Sequence, residues 1–175
     1  MFIFISGEER SGKSYYAEKR LSELSGSPKI YIAAAKIYDD EMRERVKNHQ
    51  EMRKDKGFIT IECPCNLGSV KIPKDSAVLI ESLTLWTANE MFTDDGIKPC
   101  NYVISKIYHD FMNIFERSCN IILVADDIFS DGVKYGSETE KYIRLLAEMH
   151  IKFASIADEV IECVSGLYIA YKNKL

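Results

Sequence analysis

What the sequence lacks removes several classes of protein. No apolar run approaches the roughly 20 residues that a bilayer-spanning helix needs, so no membrane span is expected. The 27 acidic residues outnumber the 23 Lys and Arg, giving a net charge of −4, and no basic stripe stands out. Nucleic acid is therefore not the expected partner. The five cysteines are odd in number and show no disulfide-framework spacing. Cys63-Pro64-Cys65 has no second ligand pair at zinc-site spacing. Free thiols suit a reducing compartment, and the expected location is the cytoplasm. The apolar run Met1-Phe2-Ile3-Phe4-Ile5 has no basic residues before it and is not expected to be a signal peptide. No Pro/Gly/Ser-rich linker and no internal repeat divides the 175 residues, so a single domain over 1–175 is predicted, long enough to bury a sizeable core.

What the sequence has is concentrated at its start. Gly7-Glu8-Glu9-Arg10-Ser11-Gly12-Lys13-Ser14 reads G-x-x-x-x-G-K-S, the phosphate-binding loop pattern. The apolar run before it suits a buried parallel strand. The polar stretch after it, with Ala17, Leu21 and Leu24 on one side, is competent to form a helix. In a strand–loop–helix of this kind the loop amides and the helix N-terminus converge on an anion. Lys13 would reach the outer phosphates and the Ser14 hydroxyl would ligate Mg²⁺.

The remaining pattern alternates strands and helices. Strands are predicted over 29–35, 58–63, 77–82 and 120–126. Helices are predicted from Asp39 or Asp40 to 54, and over 83–92, 102–117 and 138–156, with a turn at 93–96 and a loop over 130–137. Segments 159–164 and 167–170 form a terminal hairpin around Ser165-Gly166. The predicted class is α/β: a P-loop NTPase (RecA-like) three-layer sandwich with a mostly parallel central sheet and a C-terminal β-hairpin. Ligands in such sheets sit at the carboxyl ends of the strands. That rule places the phosphate loop, Ala33, Ala34, Ala35, Glu62, Glu81 and Asp126-Asp127 on one rim.

Few other residues offer chemistry. On a helix, Arg45, His49 and Arg53 fall in one row at i, i+4, i+8. Two guanidiniums around an imidazole suit a polyphosphate, and they also suit a solvated charged face. Glu81 ends a buried strand, where an acid is usually paired or functional. Glu81 or Asp126 is also a candidate to hold Mg²⁺. His109 is expected at the surface and His150 at the edge of the core.

Four stretches together resemble the bifunctional adenosylcobinamide kinase / adenosylcobinamide-phosphate guanylyltransferase family of cobalamin biosynthesis. They are Arg10-Ser11-Gly12-Lys13-Ser14; Tyr31-Ile32-Ala33 with Asp39-Asp40-Glu41-Met42, Arg45 and His49; Leu79-Ile80-Glu81 with Thr84; and Ala157-Asp158-Glu159-Val160 with Val164-Ser165-Gly166. The resemblance implies an enzyme that uses GTP, with ATP as another kinase donor, and Mg²⁺. It implies a corrinoid acceptor, adenosylcobinamide or its phosphate, and a homotrimer. It also implies that His49 becomes guanylylated and that Ala33, Ala34, Ala35, Gln50, Glu51, Met52 and Arg53 line the nucleotide site. Glu62 and Glu81 match carboxylates at the guanine site, where a carboxylate accepts from the N1–H and amine of guanine. The sequence departs from the family at Glu8, at Asp126-Asp127-Ile128-Phe129, at Asp131-Gly132-Val133-Lys134, and at Ala147, His150 and Ile151. A plain small-molecule kinase and a GTP-binding regulator are the rival readings.

Overall fold

Alternate side chains of β1 (Phe2–Gly7) feed two separate cores. Phe2 and Phe4 belong to one, and Ile3 and Ile5 to the other. A strand buried on both faces needs partners on both edges and helices above and below. The computed structural model describes residues 1–36, 43, 44, 47, 56–129 and 132–173. In it β1 is followed by α1 (Lys13–Glu23), β2 (Lys29–Ala33), β3 (Ile59–Glu62), a 3₁₀ turn (Leu67–Ser69), β4 (Ser76–Glu81) and α2 (Leu83–Met91). A two-stranded ribbon, β5 (Phe92–Thr93) and β6 (Gly96–Ile97), leads to α3 (Cys100–Phe115), β7 (Ser118–Asp126), α4 (Ser137–Ile156), β8 (Glu159–Val164) and β9 (Leu167–Asn173).

Among the described residues the main sheet has seven strands in the order β3-β2-β4-β7-β1-β8-β9. Every pairing is parallel except β8 with β9, which is antiparallel. The expected mostly parallel sheet with a terminal hairpin is therefore what forms. Helices α2, α3 and α4 cover one face through Trp86, Val103, Ile107, Phe111, Met149 and Phe153. Helix α1 covers the other through Ala17 and Leu21. Ser82 caps α2, accepting from the Leu85 N–H at 3.2 Å, the usual role of serine at that position.

The differences from the sequence expectation lie at element ends. β2 stops at Ala33, not at residue 35, although the Ala34 N–H still donates to the Glu81 carbonyl of β4 at 2.7 Å. The 93–96 turn belongs to the ribbon, in which Phe92 pairs with Ile97. β9 runs three residues beyond the expected 170. The helix expected from Asp39 or Asp40 to 54 lies mostly outside the described residues; Arg43, Glu44 and Lys47 are helical.

His150 is the core-edge residue that the sequence suggests. Its ring stands edge-on to Phe4 and Phe129, with centroids 5.3 and 5.0 Å away. Its Nε2 is buried without a hydrogen-bond partner. Burial pushes the His150 pKa down to about 4, against the opposing pull of Asp127 and Asp126. The folded state therefore keeps the ring neutral while the unfolded chain protonates it near pH 6.5. Its contribution to stability is complete above about pH 6.5 and is lost as pH falls towards 4. Between pH 7 and 5 this amounts to roughly 2 kcal/mol. Urea unfolding at both pH values should show that much more acid sensitivity in the wild type than in His150→Leu. Equal acid sensitivity would contradict the neutral buried ring.

Candidate active site

Three strand ends build the rim. β1 ends at Gly7, in register with Asp126 at the end of β7, and β4 ends at Glu81, in register with Val124. From Gly7 the chain turns through Glu8, Glu9, Arg10 and Ser11 to Gly12 and enters α1 at Lys13. The turn is tight. Arg10 has φ 60 and Gly12 φ 94, a conformation glycine adopts without a steric penalty. Gly7 has no room for a side chain, since a Cβ there would lie 2.5 Å from the Cys163 carbonyl oxygen. The Ser11 N–H donates to the Glu8 carbonyl at 3.2 Å. No side chain caps the N-terminus of α1, so its first amides face outward with the positive end of the helix dipole. Helix N-termini of this form are where anions bind in proteins generally.

Lys13 is only 6% exposed. A buried ammonium must be paired, and here it has two partners. Its Nζ lies 2.7 Å from Asp126 Oδ1 and donates to the Glu8 carbonyl at 2.9 Å. Asp126 is itself anchored. Its N–H donates to Thr84 Oγ1 at 2.8 Å, and Ser82 Oγ donates to its Oδ2 at 3.4 Å. Tyr142 reaches the same corner, donating to the Thr84 carbonyl at 2.9 Å. Burial, and then nearby Asp126, push the Tyr142 phenol well above its ordinary pKa.

Glu81 is the second anchor. The Ser14 hydroxyl donates to its Oε1 and the Tyr31 hydroxyl to its Oε2. Ala33 is in register with Glu62 on one side and Glu81 on the other. The two acids thus stand at one level, two strand spacings or about 10 Å apart. Glu62 is exposed. Ala33 and Ala35 are half-buried at this rim, whereas the Ala34 methyl is wholly in the core. Only the Ala34 backbone reaches the rim, where Asn89 Nδ2 donates to its carbonyl at 2.8 Å. His49, with Arg45, Gln50, Glu51, Met52 and Arg53, lies outside the described residues. His109 is at the surface, with its side chain 75% exposed.

The sequence reading did not identify the parts played by Tyr31, Ser82, Thr84 and Asn89. Their signal was present. Ser82, Thr84 and Asn89 are polar positions in and beside the helix that leaves Glu81, which also carries Thr87 and Glu90, and all five are buried.

The sequence profile described as cobinamide kinase / cobinamide phosphate guanyltransferase matches residues 3–171. The chain belongs to that family. It is accordingly an enzyme of the kinase and guanylyltransferase kind. The bifunctional adenosylcobalamin biosynthesis protein CobU of Salmonella typhimurium is 26% identical over 98% of this chain and all of its own length. Its Escherichia coli counterpart is 27% identical over the same shares. Among solved structures, the flagellar accessory protein FlaH from Methanocaldococcus jannaschii aligns with TM-score 0.49 and 12% identity, over 98% of this chain and 78% of that one.

The sequence expectation of Mg²⁺ at Ser14 can be set against the rim. The donor set fits. A hydroxyl that donates its proton to Glu81 keeps its lone pairs for a hard cation. Among the described residues no group of three or more His, Cys, Asp or Glu side chains could hold a metal. Mg²⁺ is typically held by one or two side chains together with substrate phosphates.

The Lys13–Asp126 pair yields a stability test. Asp126→Asn keeps the shape but leaves the buried ammonium with weaker compensation. Asp126 is partly exposed, so the cost is discounted to about 1–2 kcal/mol, or a few degrees in melting temperature. Added tripolyphosphate should recover more of the melting temperature in the variant than in the wild type, because an anion replaces the lost charge. An unchanged melting temperature would show that Lys13 does not depend on Asp126.

Proposed function

We propose that this enzyme carries out both transfers at one rim. It phosphorylates the alcohol of adenosylcobinamide and then attaches GMP to the resulting phosphate through a guanylylated His49, giving adenosylcobinamide-GDP. The observation that supports this best is the placement of Lys13 against Asp126 and of Ser14 against Glu81, at the ends of two strands beside the phosphate loop. The assignment of His49 rests on its family match and its row with Arg45 and Arg53.

In the kinase step the acceptor hydroxyl oxygen attacks the γ-phosphorus of GTP or ATP. A new P–O bond forms, the bond to the β-γ bridging oxygen breaks, the hydroxyl proton passes to solvent, and the nucleoside diphosphate leaves. Lys13 exchanges Asp126 for the outer phosphate oxygens, and the loop amides hold those oxygens in line. Ser14, oriented by Glu81, and Glu81 itself would hold Mg²⁺, which when bound offsets charge on the transferring phosphate. In the guanylyl step a neutral His49 nitrogen attacks the α-phosphorus of GTP, forming a phosphoramidate and releasing pyrophosphate. A phosphate oxygen of the acceptor then displaces His49. Two in-line displacements on a covalent intermediate replace one difficult transfer. Glu81 stands at Ser14 on the phosphate side of the rim and Glu62 lies two strands away, so of the two family-matched acids we assign guanine recognition to Glu62.

Mass spectrometry tests the intermediate. Incubation with Mg²⁺ and GTP should add one GMP moiety per chain, mapped to His49, labile in acid and comparatively stable in base. His49→Ala should bind GTP and gain no mass. An adduct on His109 or His150, or one that persists in His49→Ala, would overturn the assignment.

The two acids separate in binding. Glu62→Gln should narrow the preference for GTP over ATP by about tenfold, since a hydrogen bond to a charged group contributes roughly 1.5–3 kcal/mol. Glu81→Gln should instead weaken the Mg²⁺ dependence of both nucleotides alike. The opposite pattern would exchange the two roles.

A further inference from the structure

β9 (Leu167–Asn173) contributes nothing to the core, since all seven of its residues are exposed. Beyond its ladder with β8, it reaches the start of the sequence through Tyr168 and the turn before it. The hairpin loop is Ser165-Gly166, with φ 49 and 81. Positive φ at both positions is the two-residue turn that matches the twist of paired strands. From this turn the Gly166 N–H donates to the Ser11 carbonyl, in the phosphate loop, at 3.0 Å. Beside it the Tyr168 ring stacks on Tyr16 of α1, with centroids 4.1 Å apart and planes 28° apart. Tyr16 is bonded through its own N–H to the Gly12 carbonyl at 3.0 Å. The fit is close: a Cβ on Gly12 would sit 3.7 Å from Gly166 Cα and 3.9 Å from the Tyr168 hydroxyl.

We propose that the β8–β9 turn and Tyr168 form an outer brace that holds the phosphate loop in its anion-receiving shape before any nucleotide arrives, making Tyr168 a positioning residue for nucleotide binding. Loop amides bind an anion well only if their convergence is already fixed; otherwise part of the binding energy is spent on ordering the loop. The inner side of the loop is fixed by Lys13 on the Glu8 carbonyl. The outer side has the Gly166 and Tyr168 contacts. The Ser11 carbonyl would otherwise be an unpaired acceptor in a segment where Ser11 is 5% exposed. The proposal rests on the reading that residues 7–14 bind nucleotide phosphate.

The experiment compares Tyr168→Ala, Tyr168→Phe and Tyr171→Ala with the wild type. Tyr171 lies on the same strand, is 68% exposed and donates through its hydroxyl to Glu162 Oε2 of β8 at 2.7 Å, so it controls for general hairpin stability. The GTP dissociation constant with Mg²⁺ is measured by calorimetry, the melting temperature without ligand, and His49 labelling at saturating GTP. Tyr168→Ala should weaken GTP about tenfold through lost preorganisation. Tyr168→Phe should stay within about twofold, because the stacked ring remains. Tyr171→Ala should also stay within about twofold, as a surface substitution does. Labelling at saturation should be unchanged, placing the effect in affinity and not in the transfer step. If Tyr168→Ala does not fold, Tyr16→Leu removes the stack from the other side and should give the same loss. Wild-type affinity in the folded stack variant, failure of Phe to rescue, or equal loss in Tyr171→Ala would each overturn the brace. Lys13→Ala separates the two readings: if the wild type binds no GTP, or if Lys13→Ala binds it unchanged, the phosphate-site reading fails instead.

Discussion

One buried ammonium sets the terms for the rim. Lys13 sits at the start of α1 with almost no solvent around it, and a charge in that position must be met by fixed oxygens. Asp126 and the Glu8 carbonyl supply them. Asp126 reaches Lys13 because β7 lies beside β1 and ends level with Gly7. Thr84, Ser82 and Tyr142 then fix Asp126 or the backbone around it. The strand order, the capping serine of α2 and a tyrosine of α4 all serve one charge. A phosphate bound as proposed would compete for the same ammonium, so the pair would also set how strongly an anion must bind to displace Asp126.

The second acid has a different environment. Both Glu81 oxygens are engaged by hydroxyls, whereas Glu62, one level across Ala33, is exposed. Carboxylates about 10 Å apart match the two ends of a nucleotide better than they match one base. The loop after Glu62 is pinned from below. The Asn66 N–H donates to Glu90 Oε1 at 2.7 Å, and Lys106 bridges Glu90 and Asp110 at 2.8 and 2.9 Å. Asp110 crowds Gly68 so closely that a Cβ there would lie 2.4 Å from its Oδ1.

Much of this was legible in the residues. The phosphate loop announces itself through G-x-x-x-x-G-K-S because its geometry requires those residue types. β4 and β7 are legible because strands buried on both faces are continuous apolar runs. Glu81 and Asp126 stand out because an acid ends each run. What stayed hidden is pairwise. That Tyr31 meets Glu81 depends on β2 and β4 being neighbours, and no local pattern states the order of strands. Ala34 illustrates the same limit. It is one of three consecutive alanines, and only the turn of the chain after β2 decides which methyl enters the core. The hairpin pattern predicts β9 only to 170, yet antiparallel pairing with β8 carries the ladder to Asn173.

β1 is held along its whole length by a segment from the far end of the sequence. The Phe2 N–H donates to Asp158 Oδ2 at 2.8 Å, and the Asp158 N–H returns to the Phe2 carbonyl at 2.8 Å. β8 then pairs with β1 along Ile3 to Gly7, and the turn that follows reaches Ser11. Each of these contacts closes a loop of roughly 150 residues, a separation whose entropic cost must be met before the contact yields anything. The phosphate loop is local in sequence, but its outer wall comes from the far end of the fold. Its shape is therefore a property of the completed domain. A nucleotide that selects that shape stabilises the whole sheet by mass action, in proportion to how far its concentration exceeds its dissociation constant.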